Sequence, residues 1–266
     1  MDWSVLEATV AVAETQGLVG VAAIGPDGAE WEHRGGRLFA AASTVKIPLM
    51  IAVYREIDAG RLALDTPYTL TDNDRTPGSG VISHLHTGIT LTVADLLYLM
   101  IAISDNTATN LLLRMVSMDT ARATMTDLGM AHSVFGRPMY GRPARADEGE
   151  NYATPHEYAR VLRAILDGKA ASSASCEAMT ALLETQQNSR RFARYLPTLA
   201  HLRWGSKTGS VSGVVNDVGF VLAPNGRLIL AVYTENCPDE WTGEAVIGEI
   251  ARAAMIATGV VGPLRR

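Results

Sequence analysis

The chain has 266 residues, 47% hydrophobic and 19% charged, which is enough apolar material to bury a large core and excludes a disordered polymer. Its formal charge is −5, with 23 Lys and Arg against 28 Asp and Glu, so the basic footprint of a nucleic-acid binder is missing. Length alone allows one or two domains.

The first residues, MDWSVLEATVAVAETQG, carry acids where a secretory signal carries bases, and they mix polar with apolar too evenly to span a membrane. Read as written, the chain is expected in the cytoplasm, or in the periplasm or medium if a leader was removed. Leu6, Val10 and Val12 predict an amphipathic helix stopped at Gly17. An apolar run over 18–24, the turn Pro26-Asp27-Gly28 and a second run over 29–33 read as a hairpin, with a third extended stretch over 38–41. The run from Ser43 through Arg55, ended by Gly60, predicts a buried helix.

Helical spacing recurs over 92–103, 107–116, 118–128, 156–166 and 175–186, with loops rich in Gly, Pro and Asp at 72–80 and 136–151. Strand character returns over 214–222 and 228–234 around Pro224-Asn225-Gly226, and a helix over 242–257 closes the chain. Strands at both ends and helices between them predict one antiparallel sheet built from both termini, faced by the terminal helices, with a helical subdomain inserted over 61–200. The whole chain, 1–266, is therefore expected to be one domain, with 1–60 and 201–266 forming its α/β part. The junction between the parts is the expected place for a small-molecule cleft.

Three short motifs fall in order along this framework. Ser43-Thr44-Val45-Lys46 sets a hydroxyl and an amine about one helical turn apart at a helix start, where desolvation lowers a lysine pKa and the helix end favours negative charge. Ser104-Asp105-Asn106 follows an apolar helix, and Lys207-Thr208-Gly209 lies within Trp204–Ser210, ahead of a strand pair. Singly each motif is common. Together the S-x-x-K, S-D-N and K-T-G set is the signature of penicillin-recognising serine hydrolases.

The sequence thus resembles the class A β-lactamase family over essentially its whole length. The resemblance implies an α/β (α+β) fold with a five-stranded antiparallel sheet. It implies that Ser43 attacks a strained amide or an ester, that Lys46 helps deprotonate it, and that Ser104 relays a proton to the leaving nitrogen. It further implies that Asn106 donates to the substrate's side-chain amide, that Lys207 and Thr208 hold its carboxylate, and that Gly209 permits close approach. Ser43 and Ser210 would supply the oxyanion-hole amides. Asp105 is read as a loop tether.

In this family a glutamate within R-x-E-x-x-x-N activates the deacylating water. The matching stretch here is Arg145-Ala146-Asp147-Glu148-Gly149-Glu150-Asn151, which puts Asp147 at the base position, one methylene short, with Glu148 or Glu150 as bases in a shifted register and Asn151 sharing the water. The loop is also short, because Thr154-Pro155 follows at once. Many relatives carry an arginine near the strand after K-T-G. Here that stretch is Val214-Val215-Asn216, leaving Lys207 alone or aided by Arg190, Arg191 or Arg194, a cluster otherwise read as a solvated face.

Neither Cys176 and Cys237 nor His84-x-His86 has metal-ligand or disulfide spacing, so no metal or cofactor is expected and both thiols are read as free and buried or half-buried. The methionines are read as core, with Met125, Met130 and Met139 near loops that could line a pocket. The expected partner is a small-molecule β-lactam or acyl ester bound by a monomer, with no membrane involved. An esterase or amidase with the same nucleophile, and a penicillin binder that deacylates slowly, are the alternatives.

Overall fold

A computed structural model describes residues 1–199 and 201–261. Ala200, at the edge of the expected helical insert, and the last five residues of the expected domain lie outside it. In chain order the elements are α1 (Ser4–Ala13), β1 (Leu18–Ile24), β2 (Glu30–His33), β3 (Phe39–Ala40), α2 (Lys46–Asp58), β4 (Pro67–Thr69) and β5 (Thr90–Thr92). Then come α3 (Val93–Ala102), α4 (Asn106–Val116), α5 (Met118–Asp127), β6 (Tyr152–Ala153), α6 (Pro155–Leu166), α7 (Ser173–Glu184), β7 (Arg203–Val211), β8 (Val214–Ala223), β9 (Gly226–Glu235) and α8 (Glu240–Thr258).

The main sheet runs β2-β1-β9-β8-β7, antiparallel throughout, so strands from both ends of the chain meet at the β1–β9 pair. Side chains alternate across it. On one face Val218 and Phe220 join the core built around α2, α3, α4 and α6; on the other Val215 and Val221 pack with Leu6, Val10, Ile247 and Ile250 of α1 and α8. Among the described residues no helix is long and apolar enough to cross a membrane.

Two sequence readings of strands need correction. The stretch over 38–41 does not enter the main sheet: its residues Phe39 and Ala40 pair with Ala153 and Tyr152 of β6. Trp204–Ser210 does not merely precede a strand pair, since it is the body of β7, the strand at the edge of the sheet. That edge leaves one side of the β7 backbone without a strand partner, facing the junction with the helices.

Candidate active site

Ser43 sits in a 3-10 turn over Ala42–Val45 that runs directly into α2. Ala42, just before it, adopts φ 47°, a left-handed conformation costly for a residue with a Cβ and sustained only by its surroundings. Those surroundings are specific. Asn216 of β8 donates from Nδ2 to Ala40 O at 2.8 Å and accepts from Thr234 N at 3.1 Å, tying the turn to the sheet. Thr44 Oγ1 donates to Ala41 O at 2.7 Å and accepts from Tyr233 at 3.0 Å.

Gly209 of β7 lies against the same turn: a Cβ there would stand 2.9 Å from Ala41 O and 3.1 Å from Ser43 N. Only glycine lets the strand come this close.

Three residues after Ser43, the Lys46 side chain is fully buried. Its Nζ donates to Ser104 O at 2.6 Å, Ser104 Oγ at 3.0 Å and Asn106 Oδ1 at 2.9 Å. Burial drives the Lys46 pKa well below the ordinary lysine value, the nearby Lys207 charge lowers it further, and Asp105 opposes both. Ser104, with φ 61°, is presented at the end of α3, and Asp105 caps α4 by accepting from Ala108 N at 2.9 Å. Asp105 also accepts from Val81 N and Ile82 N at 2.7 and 2.9 Å, so it does tether a loop.

These groups converge on a cleft of about 550 Å³ lined by Ser43, Ser104, Thr208, Gly209 and Ser210. Sequence reasoning missed several of its walls, including Ser79, Gln187, Asn188 and Glu240. Lys207 lies behind it, wholly buried, donating to Thr208 O at 2.9 Å. Desolvation lowers its pKa to about 7, with Asp217 pulling it up and Arg191 pushing it down.

The arginine cluster is not a solvated face at Arg191, which is buried and lines the cleft. Its guanidinium donates to Gly209 O and Asn216 O at 3.0 Å, to Ser210 Oγ at 2.6 Å and to Glu240 at 2.8 Å, and pairs with Glu244 at 3.3 Å. Arg190 also reaches the cleft wall, stacked over Trp241, whereas Arg194 lies exposed outside it. The partners that bury Arg191 come from α8, about fifty positions away, and the local sequence gave no sign of them.

A second cavity of about 230 Å³ shares Ser43 and Ser210 and is lined by Tyr140, Arg137, Glu150 and Asn151. Here the three loop acids take different places. Asp147 is exposed and lines neither cavity. Glu148 is taken by Arg142 in a two-point pair at 2.6 Å and accepts from Arg145 N at 2.9 Å, which holds its carboxyl at about 2. It lines neither cavity either.

Glu150 is the loop acid that faces the cavity. Arg137 binds it at 3.1 and 3.0 Å. Burial pulls its carboxyl upward, but the Arg137 bonds and charge, together with the Asn151 and Ala144 amides, hold it below the ordinary glutamate value. Asn151 is buried beside it, accepting from Gly136 N and Arg137 N at 2.9 and 3.1 Å and donating to Arg137 O at 3.1 Å. Met139 lines this cavity, while Met125 and Met130 pack in the core. Cys176 and Cys237 are free and buried, and His84 and His86 are exposed.

A family model described as the β-lactamase enzyme family matches residues 6–257. The chain is 55% identical to the β-lactamase of Sphaerobacter thermophilus, whose crystal structure it matches with a TM-score of 0.96 over 99% of each chain. A variant of the last common ancestor of Gram-negative class A β-lactamases matches with a TM-score of 0.87 at 30% identity, over 95% of this chain and 97% of that one. A carbapenem-hydrolysing β-lactamase of Klebsiella oxytoca is 30% identical over 92% of this chain and 86% of its own length.

Proposed function

The chain belongs to the class A β-lactamase family, and we propose that it hydrolyses β-lactam amides through an acyl-enzyme on Ser43. The observation that carries this is the buried Lys46 Nζ, 3.0 Å from Ser104 Oγ and 2.9 Å from Asn106 Oδ1, behind the cleft that Ser43 and Ser104 line. A lysine whose burial favours the neutral form can take the Ser43 proton as the oxygen attacks the carbonyl carbon. The C–N bond of the ring then breaks, and Ser104, already bonded to Lys46, passes a proton to the departing nitrogen. The backbone amides of Ser43 and Ser210 stabilise the oxyanion, a contribution of about 3–4 kcal/mol per donor in hydrolases of this kind.

Binding of the substrate carboxylate falls to Lys207, Thr208 and Arg191, the last replacing the arginine missing after K-T-G. Asn106 donates to the side-chain amide. In the second half-reaction Glu150, with Asn151 beside it, takes a proton from the water that attacks the ester. Asp147 and Glu148 have no part in this reading, because neither lines a cavity that Ser43 shares. A monomer is the proposed working unit, supported by a site drawn from one chain, with Ser104 between α3 and α4, Asn106 at the start of α4 and Lys207 to Ser210 in β7.

The test is intact-protein mass measured over time after mixing with a penicillin, with Ser43→Ala as control. An adduct that forms and clears with product release is expected, and neither adduct nor product with the wild-type chain would overturn the reading. A penicillin-recognising protein that retains its acyl group is the second reading, favoured by the Arg137 grip on Glu150, and a stable adduct would select it.

A further inference from the structure

We propose that Glu240 is a specificity-determining residue: its carboxylate occupies the anion anchor of the free enzyme, and a carboxylate-bearing substrate binds by displacing it. This rests on the reading above that Arg191 helps to hold the substrate carboxylate.

A guanidinium carries five N–H donors in a fixed fork, and in Arg191 all five are in use within the protein. Nη1 donates to Gly209 O and Asn216 O, both at 3.0 Å, and Nε donates to Glu244 Oε1 at 3.3 Å. Nη2 donates to Ser210 Oγ at 2.6 Å and to Glu240 Oε1 at 2.8 Å. An incoming anion therefore finds the fork full, and one partner has to leave before Arg191 can donate to it.

The partners are not equally free to go. Gly209 O and Asn216 O are backbone atoms of the β7–β8 pair, and the Glu244 side chain is buried and also pairs with Arg190 at 3.2 Å. The Glu240 side chain is 57% exposed, stands at the start of α8 and lines the cleft. Ser210 Oγ donates to the same Glu240 oxygen at 3.2 Å, so this oxygen takes one donor from Arg191 and one from Ser210. A substrate carboxylate in its place would take the same two.

Exchanging one carboxylate for another keeps the buried guanidinium paired throughout, which avoids the large cost of an uncompensated buried charge. A neutral ester brings nothing to exchange and leaves Glu240 where it is. The price for the enzyme is affinity, because a site filled by its own side chain binds an outside anion more weakly by the fraction of time it stands open.

Glu240→Gln keeps the size of the side chain and removes the charge that competes for the fork. The experiment compares kcat/KM for a carboxylate-bearing penicillin and a neutral chromogenic ester, with Lys207→Ala and Glu249→Gln alongside, and measures the penicillin Kd on the Ser43→Ala protein with and without Glu240→Gln. Glu249 lies farther along α8 and outside the cleft, so its substitution removes the same charge without touching the anchor. In Glu240→Gln the expected result is a rise in penicillin kcat/KM, and a fall in Kd, of about threefold or more, the gain from opening a site closed most of the time. Ester kinetics stay as in wild type, and Glu249→Gln changes neither substrate.

A penicillin kcat/KM and Kd that stay unchanged or worsen in Glu240→Gln would overturn the proposal, as would an equal gain on the ester or an equal gain in Glu249→Gln. Lys207→Ala separates the two levels of the argument. If it costs the penicillin no more than the ester, the anchor reading falls and this proposal with it; if it does discriminate while Glu240→Gln does not, the anchor stands and only the proposal falls.

Discussion

Lys46 Nζ lies 2.9 Å from Asn106 Oδ1, with both side chains buried. An amide there solvates the amine without adding charge, which leaves burial free to favour the neutral form that a base requires. Asn106→Asp would put a carboxylate in the same place and favour the charged ammonium. The acidic limb of kcat/KM should move to higher pH by about one unit or more, with about tenfold loss at neutral pH and recovery in alkaline buffer. The neutral ester is the substrate to use, since it has no carboxylate for Lys207 to hold. An acidic limb that stays in place would remove Lys46 from the role of base.

Deacylation separates the three loop acids. Glu150→Gln should leave the rate of acylation near wild type and slow release by about 10²–10⁴-fold, the usual worth of a general base. The penicillin adduct would then persist in the mass spectrum. Asp147→Asn, at an exposed position outside both cavities, should change neither rate. Accumulation in Asp147→Asn but not in Glu150→Gln would restore the register in which Asp147 is the base.

The loop acids mark where sequence reading ran out. Ser43, Lys46, Ser104 and Lys207 were legible because each lies in a short motif whose spacing matches a helix start, a helix end or a strand. The hairpin of β8 and β9 was legible from Asn225-Gly226 between apolar runs. Which of Asp147, Glu148 and Glu150 faces the cavity was not, because the course of the loop depends on Arg137 and the short bridge from Val134 to Tyr152, contacts that close the loop in space without a local pattern. Arg191 stayed between a solvated face and the anion site for the same reason: charge alone indicates solvent, and only the fold brings Glu240 and Glu244 to it. The two-residue strand β3 was placed in the wrong sheet, since so short a run carries no register information.

The low pKa of Lys207 sets a pH limit that depends on the substrate. Its folded value, about 7, lies below the ordinary lysine value, so in the free enzyme the cation is present below about pH 7 and is lost as pH rises through it. For a carboxylate-bearing penicillin kcat/KM should therefore decline above neutral pH, because this ratio reports groups of the free enzyme. A neutral ester should show no such limb. Parallel profiles for the two would mean that Arg191 alone carries the anion.

Gly209→Ala tests the closeness of β7 to the nucleophile. The added methyl would stand 2.9 Å from Ala41 O, 3.1 Å from Ala42 Cβ and 3.1 Å from Ser43 N, two of them backbone atoms with no flexible end to yield. Something must shift, either the strand or the turn that holds Ser43. Overpacking of this kind costs about 1–3 kcal/mol of stability, visible as a fall of a few degrees in Tm. A displacement of about 1 Å at the reacting atoms costs about 10²-fold in rate. Because the nucleophile and the oxyanion amides move together, penicillin and ester should lose kcat in equal proportion. Lys207→Ala should instead act on KM for the penicillin alone. A Gly209→Ala enzyme with wild-type kcat on both substrates would mean that the close approach serves packing and has no part in aligning Ser43.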